Sequence, residues 1–474
     1  MQLRLIGALV LSCSLAACSS GAGVGTPTPL QPAAAASKAA ATSAVRVPAS
    51  VLAATQHKLS LQTSPFPLRA LAWPLRALAW PLRALAWPGT AGSPAARACT
   101  VTDNGNGHGH GHAHGHGARC RALFNSAIAV NPDPQAPPSA IGGVQPGLLN
   151  YIYNLPGQGG EGQTVAVIVA FDNPQAESDL AIYRSAFGLP ACTTANGCFQ
   201  KVAGSGSPLP KPDAGWSVES SVDLDAVSAA CSHCKLLLVE AASDMIPDLA
   251  TAVDTAVASG ATVVANSYGV DEASDNVEFA SHYNHPGVPI TAAAGDVGYG
   301  VQFPASVPAV TAVGGSSVQQ IGDESIQEVV WPLTGAGCSA FFPKPAWQHD
   351  TGCPGRTVND VAMVADPADG ISVYDSTLPG TVRGGWSAIG GTSVGASLVA
   401  ALYALAANGS QLGSNAGIYA AATAPASGDP LLIKVTSGND GTCAIAYLCT
   451  AGAGYNGPTG NGVPWGVGAF APTK

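Results

Sequence analysis

Charge is what this sequence has least of. Asp, Glu, Lys and Arg make up 10% of its 474 residues. The 19 Lys and Arg are outnumbered by 29 Asp and Glu, the formal net charge is −10, and no basic tract occurs. That balance argues against nucleic acid as a partner. A zinc-finger pattern is missing as well: Cys231-Ser-His-Cys234 has no second Cys/His pair at the right spacing. The uncharged run Val394–Ala407 is too short, and too rich in Ala and Gly, to read as a membrane span. Downstream of residue 120 the histidines are His233, His282, His285 and His349. None of them completes a convincing Ser-His-Asp set, so a base for any serine nucleophile has to be sought among other residue types.

The front of the chain is what fills the gap. Met1–Arg4 is a short positive segment, and Leu5–Ala17 is an apolar run of signal-peptide length. It ends Leu15-Ala16-Ala17-Cys18, which resembles a bacterial lipobox, so residues 1–18 are read as a signal peptide with a lipid anchor at Cys18. Residues 19–119 are rich in Ala, Ser, Pro and Thr and lack core periodicity, the composition of a disordered tether. Within it, residues 67–88 repeat Pro-Leu-Arg-Ala-Leu-Ala-Trp three times, and the proline in each copy argues against a coiled coil. Residues 104–117 alternate Gly with five histidines, His108 to His116. Such a tract binds divalent metals through neutral imidazoles, but a flexible tract cannot pre-organise a catalytic site. Metal capture at the surface and an incidental linker both remain open for it.

With Cys13 and Cys18 in the leader, ten cysteines remain, and they fall as near neighbours: Cys99/Cys120, Cys192/Cys198, Cys231/Cys234, Cys338/Cys353 and Cys443/Cys449. Five local pairs in an exported protein read as disulfides. Residues 120–474 read as the folded domain. Thr164–Phe171, Lys235–Val239, Ala261–Ala265, Val288–Ala294 and Ala309–Val313 have the composition of buried strands. Helices are expected at Ala176–Phe187, Gly215–Ala230, Asp248–Ala258 and around Phe279–Tyr283. Strands alternating with helices predict an α/β fold, a mostly parallel sheet with helices on both faces. The site should then lie beyond the carboxyl ends of the strands, where Asp172, Asn266–Gly269 and Gly295-Asp296 fall.

The chemistry-bearing residues gather around Gly390-Gly391-Thr392-Ser393, which opens the uncharged run after it. Two glycines permit a tight turn, Thr392 is a candidate N-cap, and the run reads as a helix buried on all sides. Ser393 at its N-terminus would have an N–H free for an oxyanion. Glu219 and Asp223, four apart on one expected helix, share a face, whereas Asp225 points away. Close carboxyls titrate apart, so one can serve as a base; a solvated acidic helix face is the alternative, although no Lys or Arg lies in that segment. Asp296 follows a strand, and if protonated it could donate to an oxyanion.

Glu219-x-x-x-Asp223-Leu-Asp225, Ala294-Gly295-Asp296 and Gly391-Thr392-Ser393 together resemble the motifs of the sedolisin family of serine-carboxyl peptidases. Asn266–Gly269, Pro304-Ala305 with Gly314-Gly315, Phe342–Gln348, and Asn359-Asp360-Val361 with Ala365-Asp366-Pro367 follow in family order, from about Pro146 to Gly462. The resemblance implies a subtilisin-like fold and endopeptidase activity at acid pH on proteins or peptides. It implies Ser393 as nucleophile, Glu219 as base, Asp223 as its partner and Asp296 in the oxyanion hole. There are three departures. Ser397 replaces a common proline, at a position expected to shape the helix start. The resemblance implies a calcium site, but Lys434 and Asn456 stand where the family has acidic ligands, so no cofactor is firm and the Lys434 ammonium is expected in the cation's place. The low complexity before Cys120 leaves no folded prodomain there. The expected molecule is an exported, lipid-anchored or secreted monomer of the cell envelope; the alternative is a catalytically inactive surface lipoprotein that binds peptides.

Overall fold

The computed structural model describes residues 45–46, 96–97 and 117–472, apart from 207, 322–324, 378–383, 410 and 424–428. The signal segment, Cys18, the heptapeptide repeat, the His-rich tract up to residue 116 and Cys99 lie outside the described residues. Of the two compact units, residues 1–43 fall entirely outside them, and all that follows belongs to residues 44–474.

After the two-residue strand Val45–Arg46 come three more short strands: β1 (Ala96–Arg97), β2 (Arg119–Cys120) and β3 (Leu123–Phe124). β1 pairs with β3, so pairing reaches upstream of the boundary expected at Cys120. The body then alternates α1 (Pro146–Ile152), β4 (Thr164–Ala170), α2 (Ala176–Ala186), β5 (Phe199–Ala203), α3 (Ala214–Ala230), β6 (Lys235–Ala241), α4 (Ile246–Ala258) and β7 (Val263–Asn266). It continues through β8 (Tyr268–Asp271), β9 (Ile290–Ala293), β10 (Gln302–Phe303), β11 (Val310–Ile321), β12 (Ser325–Val330) and β13 (Val361–Val364). β14 (Ile371–Asp375), β15 (Gly385–Gly390), α5 (Thr392–Ala406) and α6 (Asn415–Thr423) follow.

The central sheet runs β12-β11-β9-β7-β4-β6-β5, with β13 also on β11 and the short strand Val45–Arg46 beyond β12. Every pairing between β5 and β11 along this order is parallel, and β12 alone on this path runs antiparallel to β11. Val165–Ala170 of β4 are all buried, so both faces of the sheet are covered there. α3 and α5 pack on each other and on β4, and α4 packs on β4, β6 and β7. The continuous apolar character of β4 and β6 follows from that double cover.

Most expected elements are present with shifted ends. The strand expected over Val288–Ala294 is Ile290–Ala293, and the one over Ala309–Val313 extends to Ile321 through its antiparallel partner. Ser274–Tyr283 forms 3₁₀ turns instead of an α-helix. Thr392 is not the N-cap of α5. Gly391 holds that place at φ 110°, a left-handed conformation open to glycine, and Thr392 is the first helical residue. α5 is buried from Thr392 to Ala404, as an uncharged run requires.

Disulfides join Cys192–Cys198, Cys231–Cys234, Cys338–Cys353 and Cys443–Cys449. Cys120 is also disulfide-bonded. A buried ion pair locks the far side of the core: Arg356 Nη2 and Nη1 donate to the two oxygens of Asp360 at 2.6 and 2.8 Å. Asp360 also accepts from the Ala312 amide and the Tyr419 hydroxyl. Among the described residues, no helix is long and apolar enough to cross a membrane.

Candidate active site

α3 begins at Asp213, whose side chain accepts from the Trp216 N–H at 3.0 Å and caps the helix. Every residue from Gly215 to Ala230 is buried. This removes the solvated-face alternative for Glu219 and Asp223, and it explains why Lys and Arg are missing from the segment. Asp225 turns away as its spacing requires, and accepts from the Tyr374 N–H at 3.0 Å.

Asp223 sits between α3, the β7–β8 junction and α5. Its Oδ1 accepts from Ser267 Oγ at 2.6 Å and Ser397 Oγ at 2.8 Å, while Oδ2 has no hydrogen-bond partner. Burial pushes the Asp223 carboxyl up to about 7 against the pull of those two hydroxyls. Glu219 is also raised well above the ordinary range, by burial first and by the charge of Asp223 second. Its neighbours Ser393, Arg121 and Ala122 act in the opposite direction. Two buried acids this close carry their charge jointly. Glu219 Oε2 accepts from the backbone N–H of Arg121 at 2.7 Å and of Ala122 at 2.8 Å. The Ser393 hydroxyl lies close enough to influence Glu219, yet neither Ser393 Oγ nor Glu219 Oε1 makes an aligned hydrogen bond.

Asp296 approaches from the end of β9. Its Oδ1 accepts from Thr392 N at 2.9 Å and Thr392 Oγ1 at 2.8 Å, and Thr392 Oγ1 in turn accepts from the Gly295 N–H. The hydroxyl expected to cap α5 therefore fastens Asp296 to the helix start. Asp296 Oδ2 is buried without a partner, and burial raises the group, opposed mainly by Arg121. Burial thus favours the neutral form of Asp296, and a neutral carboxyl can donate a hydrogen bond.

All four expected residues, Ser393, Glu219, Asp223 and Asp296, are fully or almost fully buried around the first turn of α5. Asp172 does not join them; it pairs with Lys201 at 2.6 Å. Sequence reasoning missed the roles of Ser267 and Ser397. Ser397 was expected only to shape the helix start, but its hydroxyl holds Asp223. Its position four residues after Ser393, on the same helix face, was the available signal. The histidines stay apart: His282 and His285 are partly buried and share Asp254, at 2.6 and 3.0 Å. Among the described residues no histidine hydrogen-bonds the Ser393 hydroxyl.

Residues 434 and 456 offer no carboxylate. Asn456 is buried, its Oδ1 is taken by the amide and hydroxyl of Thr459, and its Nδ2 donates to Val435 O at 3.3 Å. Lys434 places a half-buried amine in the same segment, its pKa pushed down by burial alone. Among the described residues no cluster of three or more His, Cys, Asp or Glu could hold a metal ion.

No family model matches the chain. It is 35% identical over 205 residues to kumamolisin of Bacillus sp. (strain MN-32), covering 38% of this chain and 35% of that protein. It is 33% identical over 184 residues to sedolisin of Pseudomonas sp. (strain 101), covering 35% and 29%. The chain thus spans about a third of the length of these curated relatives. Among solved structures it is similar to Pseudomonas sedolisin, a serine-carboxyl proteinase complexed with two molecules of pseudo-iodotyrostatin. The TM-score is 0.59 at 26% identity, over 68% of this chain and 96% of that one.

Proposed function

We propose that this chain, which belongs to the sedolisin family, is an exported serine-carboxyl endopeptidase that hydrolyses proteins or peptides at acid pH. The observation that supports it most directly is the convergence of Glu219, Asp223 and Asp296 on the N-terminal turn of α5, where Ser393 lies. Ser393 Oγ attacks the substrate carbonyl while Glu219 takes its proton, and Glu219 returns that proton to the leaving amine. Asp223, held by Ser267 and Ser397, shares the charge of Glu219 and fixes its orientation. Asp296, protonated and fastened by Thr392, and the Ser393 N–H stabilise the oxyanion. Water then releases the acyl group by the reverse sequence.

Acid operation follows from the same groups. Asp296 must retain its proton to donate, and the buried Glu219 and Asp223 need hold only one charge between them for Glu219 to act as base. The four described disulfides support export to an oxidising compartment, with anchoring at Cys18. The test is hydrolysis of acid-denatured protein by the full chain across pH 3 to 8, beside Ser393→Ala and Glu219→Gln. Acid-peaked activity lost in both variants is expected. Activity peaking near neutral pH and surviving Glu219→Gln would refute the mechanism.

A further inference from the structure

A cavity of about 400 Å³ opens at the carboxyl ends of β4 and β6, the sheet edge that also carries the site. Phe171, Pro208, Leu209, Pro210 and Ala242 give it apolar walls, and Glu240 and Lys211 line it as well. Glu240 is 0% exposed, and its Oε2 has no hydrogen-bond partner. Its Oε1 accepts from the Asn173 N–H at 2.8 Å and lies 3.7 Å from Lys201 Nζ, which pairs more closely with Asp172 at 2.6 Å. Burial pushes the Glu240 carboxyl up to about 8, against the pull of the Asn173 N–H and Lys201. In acid the group is therefore neutral, and because Oε1 is already an acceptor, Oε2 carries the proton. A buried O–H without an acceptor is costly, and a ligand that brings one removes that cost.

The walls are fixed to the element that carries the base. Phe171 has φ 62°, a left-handed conformation that a residue with a Cβ adopts only under strain. Its ring meets that of Trp216 edge-on, with centroids 6.5 Å apart. Trp216 lies in the first turn of α3, three residues before Glu219. The loop that supplies the two prolines is tied down just beyond them: the Asp172 N–H donates to Lys211 O at 3.1 Å, and Asp213 then caps α3. Along the sheet, β4 separates β6, which bears Glu240, from β7, which ends at Asn266 beside Ser267. Two strand spacings make about 10 Å. An extended peptide covers that length in about three residues. The cavity is thus within reach of a peptide whose reacting carbonyl lies at Ser393.

We propose that this cavity is a distal substrate subsite that takes a tyrosine side chain about three to five residues from the bond cleaved, its ring against Phe171 and the prolines and its hydroxyl on Glu240 Oε2. The inference rests on the serine-carboxyl reading of the site. A phenol joins a flat apolar body to one polar tip, which is the pattern of these walls and this floor. A phenylalanine would meet the same walls but leave Oε2 unpaired. A lysine or arginine would meet Lys211, and would find in Glu240 a carboxyl that burial keeps neutral.

The test uses the full oxidised chain at pH 4 and a peptide that it cleaves at one bond, with Tyr, Phe, Arg or Ala moved through the positions three to five residues to either side. At one of these positions kcat/KM should favour Tyr over Phe by about 10-fold, the effect of one buried hydrogen bond. Glu240→Leu should reverse that order, and Glu240→Gln, which keeps a donor at the same place, should preserve it. Should Glu240→Leu fail to fold, Phe171→Gly, whose backbone suits φ 62°, carries the test: Tyr and Phe should both fall to the rate for Ala. Tyr no better than Phe at every position, or Arg favoured there, would overturn the inference and leave the serine-carboxyl reading standing. Hydrolysis of no peptide would overturn that reading, and the cavity is then judged by saturation-transfer NMR on the Ser393→Ala chain. Transfer to N-acetyltyrosinamide should exceed that to its phenylalanine counterpart and fade when Glu240→Leu is added. Equal transfer to the two would overturn the inference.

Discussion

Raising the pH from 4 to 7 should destabilise the fold, and Asp223 shows why. Its carboxyl is fully buried, and burial moves it from an ordinary 3.8 up to about 7. Between those values the folded chain keeps a proton that the unfolded chain has released. The stability from this group is complete below about pH 3.8 and is lost as the pH climbs through 7. Each pH unit in that window removes about 1.4 kcal/mol, and the whole shift of roughly three units is about 4 kcal/mol. Glu240 and Asp369, both pushed up to about 8, and Asp440, pushed up to about 7, are buried too and act with the same sign.

The assay is guanidinium unfolding of the Ser393→Ala chain, which cannot digest itself, at pH 4.0, 5.5 and 7.0. Unfolding free energy should fall by about 4 kcal/mol or more across the series. Asp223→Asn in the same background keeps an oxygen for the Ser267 and Ser397 hydroxyls but no longer titrates. It should flatten the dependence by roughly one proton, about 1.4 kcal/mol per pH unit. Stability that stays level or rises from pH 4 to 7, or an Asn variant with an unchanged slope, would refute the argument.

Asp296→Ala should lower kcat by about 10²- to 10³-fold with KM little changed, as expected for a lost oxyanion donor. Asp296→Asn, which donates at any pH, should retain much of the activity and extend it toward neutral pH; a kcat–pH profile of both variants decides. Arg356→Met leaves the buried Asp360 without its ion-pair partner and should cost about 3–5 kcal/mol in the same unfolding assay. We propose that the Lys434 amine takes the cation's place, so adding calcium or EDTA should leave the melting temperature of the Ser393→Ala chain unchanged, and a calcium-dependent rise would sink that idea.

The layers of the fold were legible because β4 and β6 are apolar throughout and alternate with helices, which is local information. Glu219 and Asp223 were legible as a pair because four residues on a helix return to one face. Asp296 was legible from its place at the end of a strand. What holds these acids was not. Ser267 reaches Asp223 across 44 residues, and Asp225 meets Tyr374 across 149, distances over which no periodicity speaks. Thr392 misled because threonine is a common cap, whereas its hydroxyl here is drawn to Asp296. The part played by Arg121 was hidden by its setting: it lies directly beyond a low-complexity stretch, and nothing local marks its N–H as a partner of Glu219.

The scarcity of charge and the acid chemistry are two sides of one arrangement. A formal charge of −10 counts every carboxyl as ionised. Burial holds Glu219, Asp223, Asp225, Glu240, Asp296, Asp369, Asp375 and Asp440 above their ordinary range, so in weak acid many of these buried groups stay neutral. A neutral carboxyl needs no Lys or Arg beside it. It can be placed among Ser hydroxyls, as Asp223 is, without an unpaired charge in the core. The same substitution of neutral acid for ion pair lets Asp296 act as a donor. It also ties activity to the pH at which these protons remain bound, so a variant that replaces a buried acid with its amide should gain neutral-pH stability wherever that acid is not needed as a base.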